Sequence, residues 1–220
     1  MSELDSNDAN VRITEIFYSL QGESTRVGLP TVFVRLTGCP LRCVYCDSAY
    51  AFTGGEKWSI NAILAEVAKH QTKWVCVTGG EPLAQKSCLP LLSALCDAGY
   101  DVSLETSGAL DIAPVDLRVS RIMDIKTPAS GEVQRNRYAN IELLRPVDEV
   151  KFVISDRDDY LWSVDCVRQY ELTQRCPVLF SSVFNRLAPR DLAEWVLEDH
   201  LPVRFQLQMH KMLWDEVQGR

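Results

Sequence analysis

Strand-like and helix-like stretches alternate along the 220-residue chain, and this alternation restricts the fold more than any single motif. Short runs rich in β-branched and aromatic residues read as strands: Val32 to Leu36, Trp74 to Thr78, Val102 to Glu105, Arg121 to Ile125, Glu149 to Ile154, Val178 to Ser181 and Arg204 to Gln208. Between them apolar residues recur at helical spacing. In Ser59 to Lys69, residues Ile60, Ile63, Leu64, Val67 and Ala68 share one face, and Ser59 suits the N-cap. Gln85 to Asp97 reads as a helix stopped near Gly99. Asp158 to Gln169 and Arg190 to Glu198 read as two more, the last with Leu192, Trp195 and Val196 inward. Strands separated by helices build parallel βα units. About six units are too few for an eight-fold barrel. The expected fold class is therefore α/β, a partial (β/α) barrel, with a doubly wound sheet as the alternative. No repeat or linker interrupts the pattern, so one domain over residues 1–220 is expected, with a frayed N-terminus over residues 1–10.

Polar or glycine-rich clusters follow the strands directly. Three cysteines follow Val32 to Leu36. Thr78-Gly79-Gly80-Glu81-Pro82 follows the next strand, Glu105-Thr106-Ser107-Gly108 the one after, and Asp124-Ile125-Lys126-Thr127-Pro128 ends another. Ser181-Ser182 and His210-Lys211 end the later ones. Parallel barrels and sheets bind ligands at the carboxyl ends of their strands. Clusters on different strands are thus expected to converge on one mouth.

The formal net charge of −7 is spread along the chain, without the basic stripe of a nucleic-acid binder. No apolar run is long enough for a bilayer span, and Met1 to Asn10 is too polar for a secretory signal. A cytoplasmic protein is expected, with neither nucleic acid nor membrane as partner. Eight cysteines in such a chain do not read as a disulfide framework. Cys76, Cys88, Cys96, Cys166 and Cys176 sit in apolar company and are expected to be buried small apolar residues.

The remaining three form Cys39-Pro40-Leu41-Arg42-Cys43-Val44-Tyr45-Cys46, spaced C-x3-C-x2-C. Thiolates suit iron–sulfur clusters and zinc. Structural zinc normally takes four protein ligands, and no second cysteine pair is available. Three thiolates on a cubane leave one iron open. This spacing, with Gly79-Gly80-Glu81-Pro82, resembles the radical S-adenosylmethionine (SAM) superfamily. The resemblance implies a [4Fe-4S] cluster on Cys39, Cys43 and Cys46, with SAM chelating the fourth iron and supplying the radical that takes a substrate hydrogen. It also implies Tyr45, Cys46 and Asp47 near SAM, Gly80 and Glu81 at its amino group, and Glu105, Thr106 and Ser107 toward its ribose. Asp124 to Lys126 matches a Ser-Pro-Lys segment of near relatives in Lys126 alone.

The run Ile16 to Ser24, with Val32 to Cys39 and Cys46-Asp47-Ser48, is similar to the 7-carboxy-7-deazaguanine synthases of 7-deazapurine (queuosine) biosynthesis. The similarity extends from Ile13 to His210-Lys211. It implies a lyase that contracts 6-carboxy-5,6,7,8-tetrahydropterin to 7-carboxy-7-deazaguanine with loss of ammonia. A pterin shows a guanidine-like edge. Gln21 both donates and accepts, Glu23 accepts two parallel N–H bonds, and the backbone of Leu20 to Gly22 edges the ring. Arg35 suits the substrate carboxylate; Thr78 and His210 complete the substrate set. The resemblance further implies Mg2+ on Ser48, where relatives carry threonine, a flavodoxin-type reductant and a homodimer. Two departures stand out: Ser24 replaces a usual glycine, and the chain continues past Lys211 through Trp214 to Arg220, where some relatives use their terminal carboxylate on substrate. The competing readings are a glycyl-radical-enzyme activase and a zinc-stabilised binding module.

Overall fold

The computed structural model describes residues 9–215, 217 and 219. Its strands are β1 (Asn10–Leu20), β2 (Pro30–Leu36), β3 (Glu56–Ser59), β4 (Trp74–Gly79), β5 (Asp101–Thr106), β6 (Ser120–Asp124), β7 (Glu149–Ile154), β8 (Val178–Ser182) and β9 (Arg204–Gln206). Its α-helices are α1 (Ile60–Val67), α2 (Cys88–Asp97), α3 (Arg157–Gln169), α4 (Leu172–Arg175), α5 (Pro189–Glu198) and α6 (Met209–Trp214). The described residues form a nine-stranded sheet in the order β3-β1-β2-β4-β5-β6-β7-β8-β9. From β2 to β9 every neighbouring pair is parallel, while β1 lies antiparallel to both β2 and β3. The outcome is the expected α/β partial barrel. Among the described residues no helix is long and apolar enough to cross a membrane.

Every expected strand is present, with ends shifted by one or two residues. The differences have local causes. β1 was not expected as a strand, because it carries charged side chains on both faces. Ala9 packs on the core and Asn10 pairs with Ser59; residues 1–8 of the N-terminus expected to fray lie outside the described ones. α2 starts at Cys88 rather than Gln85, since Gln85 has another use. Its amide accepts from Arg12 N at 2.8 Å and donates to Arg12 O at 2.9 Å and Thr37 O at 3.0 Å. These bonds satisfy backbone groups where β1 changes register between Ile13 and Glu15. The crossovers from β5 to β6 and from β6 to β7 contain no α-helix, only turns and short 3-10 segments. Ser59 caps α1 as expected, accepting from Ala62 N at 3.2 Å.

Alternation along the strands sorts the side chains. Val34, Val77, Leu104, Phe152 and Phe180 belong to the apolar core shared with the helices. Their neighbours Arg35, Thr78, Glu105, Lys151 and Ser181 turn to the opposite face. Arg35 lies beside Thr78 in the register, and Asp124 beside Lys151. The interior of the partial barrel is therefore polar.

The connection from β1 to β2 crosses the amino-terminal ends of the parallel strands. Ser24 has φ of 70°, a left-handed conformation that favours glycine. The Gln206 amide holds it by accepting from Ser24 N and donating to Ser24 O, both at 2.7 Å. The departure from glycine thus leaves the turn intact. Thr25 donates to Glu149, and Arg26 pairs with Asp101 at 2.5 Å.

A second anchor lies at the start of β7. Asp148 is fully buried and accepts from Arg121 at 2.6 Å and Arg145 at 2.8 Å. Burial alone would raise its pKa; the bonds from Arg145 and Arg121 outweigh that and hold it down to about 2. The folded value lies below the unfolded value of about 3.9, so this contribution is complete above about pH 4 and is lost as pH falls toward 2. Asp148→Asn is expected to cost about 3 kcal/mol at neutral pH by leaving two guanidinium groups uncompensated. Urea unfolding across pH checks this: the variant should lose stability near pH 7 and lose part of the wild-type decline below pH 4.

Candidate active site

One cavity of about 680 Å³ opens at the carboxyl ends of the strands, a size suited to a cofactor with a small substrate. It is lined by all three motif cysteines and by Leu20, Gln21, Gly22, Glu23, Arg35, Thr78 and His210. Tyr45, Asp47, Ser48, Gly80, Glu105, Thr106, Ser107, Asp124 and Lys126 line it too. The cavity thus brings together residues from the clusters after β2, β4, β5, β6 and β9, whereas Glu81, Ser181 and Ser182 do not line it.

The cysteine loop leaves β2 and is pinned by the end of β4. Gly80 N donates to Leu36 O at 3.2 Å, and Glu81 N to Gly38 O at 2.8 Å. A Cβ on Gly79 would stand 2.3 Å from Leu36 O, and one on Gly80 would stand 2.4 Å from Gly38 O and 2.7 Å from the Cys39 Cβ. The glycine pair therefore lets the two loops touch backbone to backbone. Glu81 is turned away from the cavity and fully buried. Its carboxylate accepts from Thr106 Oγ1 at 2.9 and 3.0 Å, Ser107 N at 2.6 Å, Ser107 Oγ at 2.5 Å and Leu83 N at 2.9 Å. In this structure it holds the Thr106-Ser107 turn in place.

All eight cysteines are free thiols. Burial raises the Cys39 thiol and pushes Cys43 up to about 11, so a metal must displace these protons to bind. Among the described residues no three acidic, thiol or imidazole groups are placed to hold a single metal ion. A cubane asks instead for three thiols around one end of a cavity, and the donor set fits that requirement. Lys126 faces this end and pairs with Asp124 at 2.6 Å. Burial opposes the charge on Lys126, but Asp124 and Cys43 hold its pKa above the usual range. The Tyr45 hydroxyl bonds to Thr127 Oγ1 and donates to Val153 O, both at 3.0 Å, which fixes its ring against the cavity.

The opposite end is built from the loop after β1. Gln21 Nε2 donates to Glu105 at 3.3 Å, and Thr78 Oγ1 donates to the other oxygen of Glu105 at 2.9 Å. Glu105 therefore stands with Gln21 and Thr78 rather than with Thr106 and Ser107. Arg35 gives its Nε to Glu15 at 2.7 Å, and Tyr50 donates to the same oxygen at 2.7 Å. Among the described residues neither terminal nitrogen of Arg35 donates a hydrogen bond, so its fork is available. His210 sits on Gly22, and Met209 N donates to Gly22 O at 3.0 Å. A Cβ on Gly22 would stand 2.3 Å from His210 Nδ1.

Several lining residues escaped the sequence reading: Lys151, Phe17, Phe33, Tyr50 and Gln208. Phe17 and Phe33 stack at 4.9 Å and form an apolar wall. A lysine in the middle of Glu149–Ile154 was the legible signal, because a charge inside a buried strand needs a partner. The C-terminal extension forms α6, and Asp215, Val217 and Gly219 line the cavity, whereas Trp214 does not. The terminal carboxylate of Arg220 lies outside the described residues. Lys211 bonds Asp47 at 3.0 Å and so ties α6 to the cysteine loop.

Gly22→Ala is expected to displace His210 while leaving the cysteine loop alone. Iron and sulfide content after anaerobic reconstitution should match wild type, and turnover should fall at least about tenfold, the order of a mispositioned active-site group.

Comparison with known proteins now has a geometry to meet. Residues 33–124 match the radical SAM superfamily model. The chain is 46% identical over 213 residues to the 7-carboxy-7-deazaguanine synthase of Chlorobaculum tepidum, covering 96% of this chain and 97% of that one. It is 47% identical to the enzyme of the same name from Koribacter versatilis, covering 93% and 97%. Among solved structures, QueE from Escherichia coli superposes with a TM-score of 0.71 at 21% identity, covering 91% of this chain and 95% of that chain. SuiB from Streptococcus suis bound to S-adenosylmethionine shares the fold at a TM-score of 0.55 and 13% identity over 78% of this chain and 45% of that one. Near-complete coverage at this identity leads to one conclusion: the chain belongs to the 7-carboxy-7-deazaguanine synthase family of radical SAM proteins.

Proposed function

We propose that this chain is a lyase that converts 6-carboxy-5,6,7,8-tetrahydropterin to 7-carboxy-7-deazaguanine with release of ammonia, in the 7-deazapurine route to queuosine. The observation that carries this reading is the meeting of the three motif thiols with Gln21, Glu23 and Arg35 in one cavity of a chain related along its whole length to synthases of that name.

Cys39, Cys43 and Cys46 would hold the [4Fe-4S] cluster, with SAM on the remaining iron. The two together supply the one-electron chemistry that removes a hydrogen atom from the substrate. The residues of this chain bind and orient. Gln21 and Glu23 meet the donors and acceptors of the pterin edge. The free fork of Arg35, steadied by Glu15 and Tyr50, takes the substrate carboxylate. Phe17 and Phe33 exclude water from one side of the ring. His210, seated on Gly22, is in reach of a proton leaving the substrate. Thr106 and Ser107, held by Glu81, face the ribose of SAM.

The finer parts of the reading concern metal, partners and location. Ser48 precedes a 3-10 turn over Ala49–Phe52, and its hydroxyl makes no capping bond but lies 3.8 Å from the Cys46 thiol, which leaves an oxygen lone pair for Mg2+. Substrate oxygens and water would complete such a site, because Mg2+ keeps most of its water. A flavodoxin-type reductant, a homodimer and a cytoplasmic setting complete the proposal.

The test is anaerobic reconstitution followed by assay with SAM, dithionite, Mg2+ and 6-carboxytetrahydropterin. A deazapurine product is expected. Reconstituted enzyme that cleaves SAM at a rate indifferent to the pterin would count against the substrate. Cys43→Ala should remove both cluster absorbance and turnover, leaving less than about 1% of wild-type activity, since loss of one ligand opens the site. Ser48→Ala should weaken Mg2+ stimulation by about tenfold; an unchanged Mg2+ titration would remove Ser48 from the metal.

A further inference from the structure

Lys151 stands in the middle of β7 with its side chain turned into the barrel, and no step above uses it. Its Nζ lies 2.5 Å from Glu23 Oε2 and 3.5 Å from Asp124 Oδ1. Asp124 in turn pairs through Oδ2 with Lys126 at 2.6 Å. Four alternating charges therefore cross the cavity, from Glu23 on the substrate side through Lys151 and Asp124 to Lys126 beside the cysteines. Gln208 Nε2 donates to the other oxygen of Glu23 at 2.8 Å. Glu23 and Lys151 are both buried, so neither charge is stable without its partner.

We infer that Lys151 is a positioning residue for substrate recognition: it keeps Glu23 ionised and aimed, so that a carboxylate rather than a carboxylic acid meets the paired N–H donors of the pterin. This rests on the proposed substrate. A protonated Glu23 would present a donor to donors and lose one of the two bonds it accepts from the ring edge. Lys151 does not reach the reacting atoms. It acts through Glu23, and its second contact, with Asp124 at 3.5 Å, restrains its ammonium.

The electrostatics agree with the geometry. Burial works against the charge on both groups, yet Lys151 holds Glu23 below the usual carboxylate range, and Asp124 with Glu23 holds Lys151 well above the usual ammonium range. The other groups facing the pair are Glu105 on β5, Asp124 on β6, Asp47 in the cysteine loop and His210 in α6. Three of these four are acidic. With Lys151 gone, Glu23 would be left with the burial that raises it and with His210 as the opposing charge. Its pKa must then rise, and recognition must weaken most at acid pH.

The experiment compares reconstituted wild type with Lys151→Met and Lys151→Arg, measuring deazapurine formation across pH and SAM binding without pterin. In Lys151→Met the KM for 6-carboxytetrahydropterin should rise about thirtyfold, the order expected when a buried ion pair loses one member. Its kcat/KM acid limb should move alkaline by more than one unit, while kcat changes less and SAM affinity stays within about threefold of wild type. Lys151→Arg should restore the wild-type acid limb. An unchanged KM and an unmoved acid limb in Lys151→Met would overturn the inference, as would equal losses of SAM and pterin binding. Should Lys151→Met not fold, the double variant Glu23→Gln with Lys151→Met removes both charges. It should bind pterin weakly with the acid limb abolished, and a wild-type acid limb in it would overturn the inference. Wild type that makes no deazapurine would overturn the substrate reading itself, a result separate from a working wild type with an indifferent Lys151→Met.

Discussion

The register of the parallel strands is the constraint on which the site depends. Because side chains alternate along each strand, one residue in two faces the helices and the next faces the interior. Apolar residues take the first set and form the core. Arg35, Thr78, Glu105, Asp124 and Lys151 occupy the second and form one polar layer. A shift of one residue in β2, β5, β6 or β7 would turn Arg35, Glu105, Asp124 or Lys151 toward the helices. The interior layer remains stable because its charges are paired. Lys151 lies between two carboxylates, Arg35 is held by Glu15, and Lys126 is held by Asp124.

Glycine and glutamine make the loops fit this frame. Gly79 and Gly80 allow β4 to press its carboxyl end against the cysteine loop, and Gly22 gives His210 its seat. Gln85 bridges Arg12 and Thr37 with one amide at the β1 irregularity, and Gln206 clamps both backbone groups of the left-handed Ser24. The cysteine loop thus closes one end of the cavity and the loop after β1 the other. Neither end is assembled from one stretch of chain.

What was legible in the sequence, and what was not, follows from the same physics. Apolar runs such as Val32 to Leu36 and Glu149 to Ile154 announced buried parallel strands, and polar clusters directly after them announced the mouth. β1 was missed because Glu15 faces a polar interior, so its strand lacks the usual apolar and polar faces. Lys151 was missed because its partners, Glu23 and Asp124, are distant in sequence and meet only in the folded barrel. Glu81 was expected in the cavity because the glycines before it are there. The short turn at Pro82–Ala84 instead rotates its carboxylate toward Thr106 and Ser107. Glu105 was grouped with those two by sequence adjacency, but strand alternation sets it on the other face, beside Gln21 and Thr78.

The central claim is that cofactor and pterin share one enclosed interior, so that hydrogen passes directly between them. Turnover of ring-deuterated 6-carboxytetrahydropterin in ordinary water, followed by mass spectrometry of the 5′-deoxyadenosyl group in recovered SAM and in any free 5′-deoxyadenosine, tests this most directly, because the conversion is redox-neutral and the hydrogen taken must be returned. The account predicts deuterium in the deoxyadenosyl group. A deoxyadenosyl group free of deuterium while the deazapurine accumulates would contradict it.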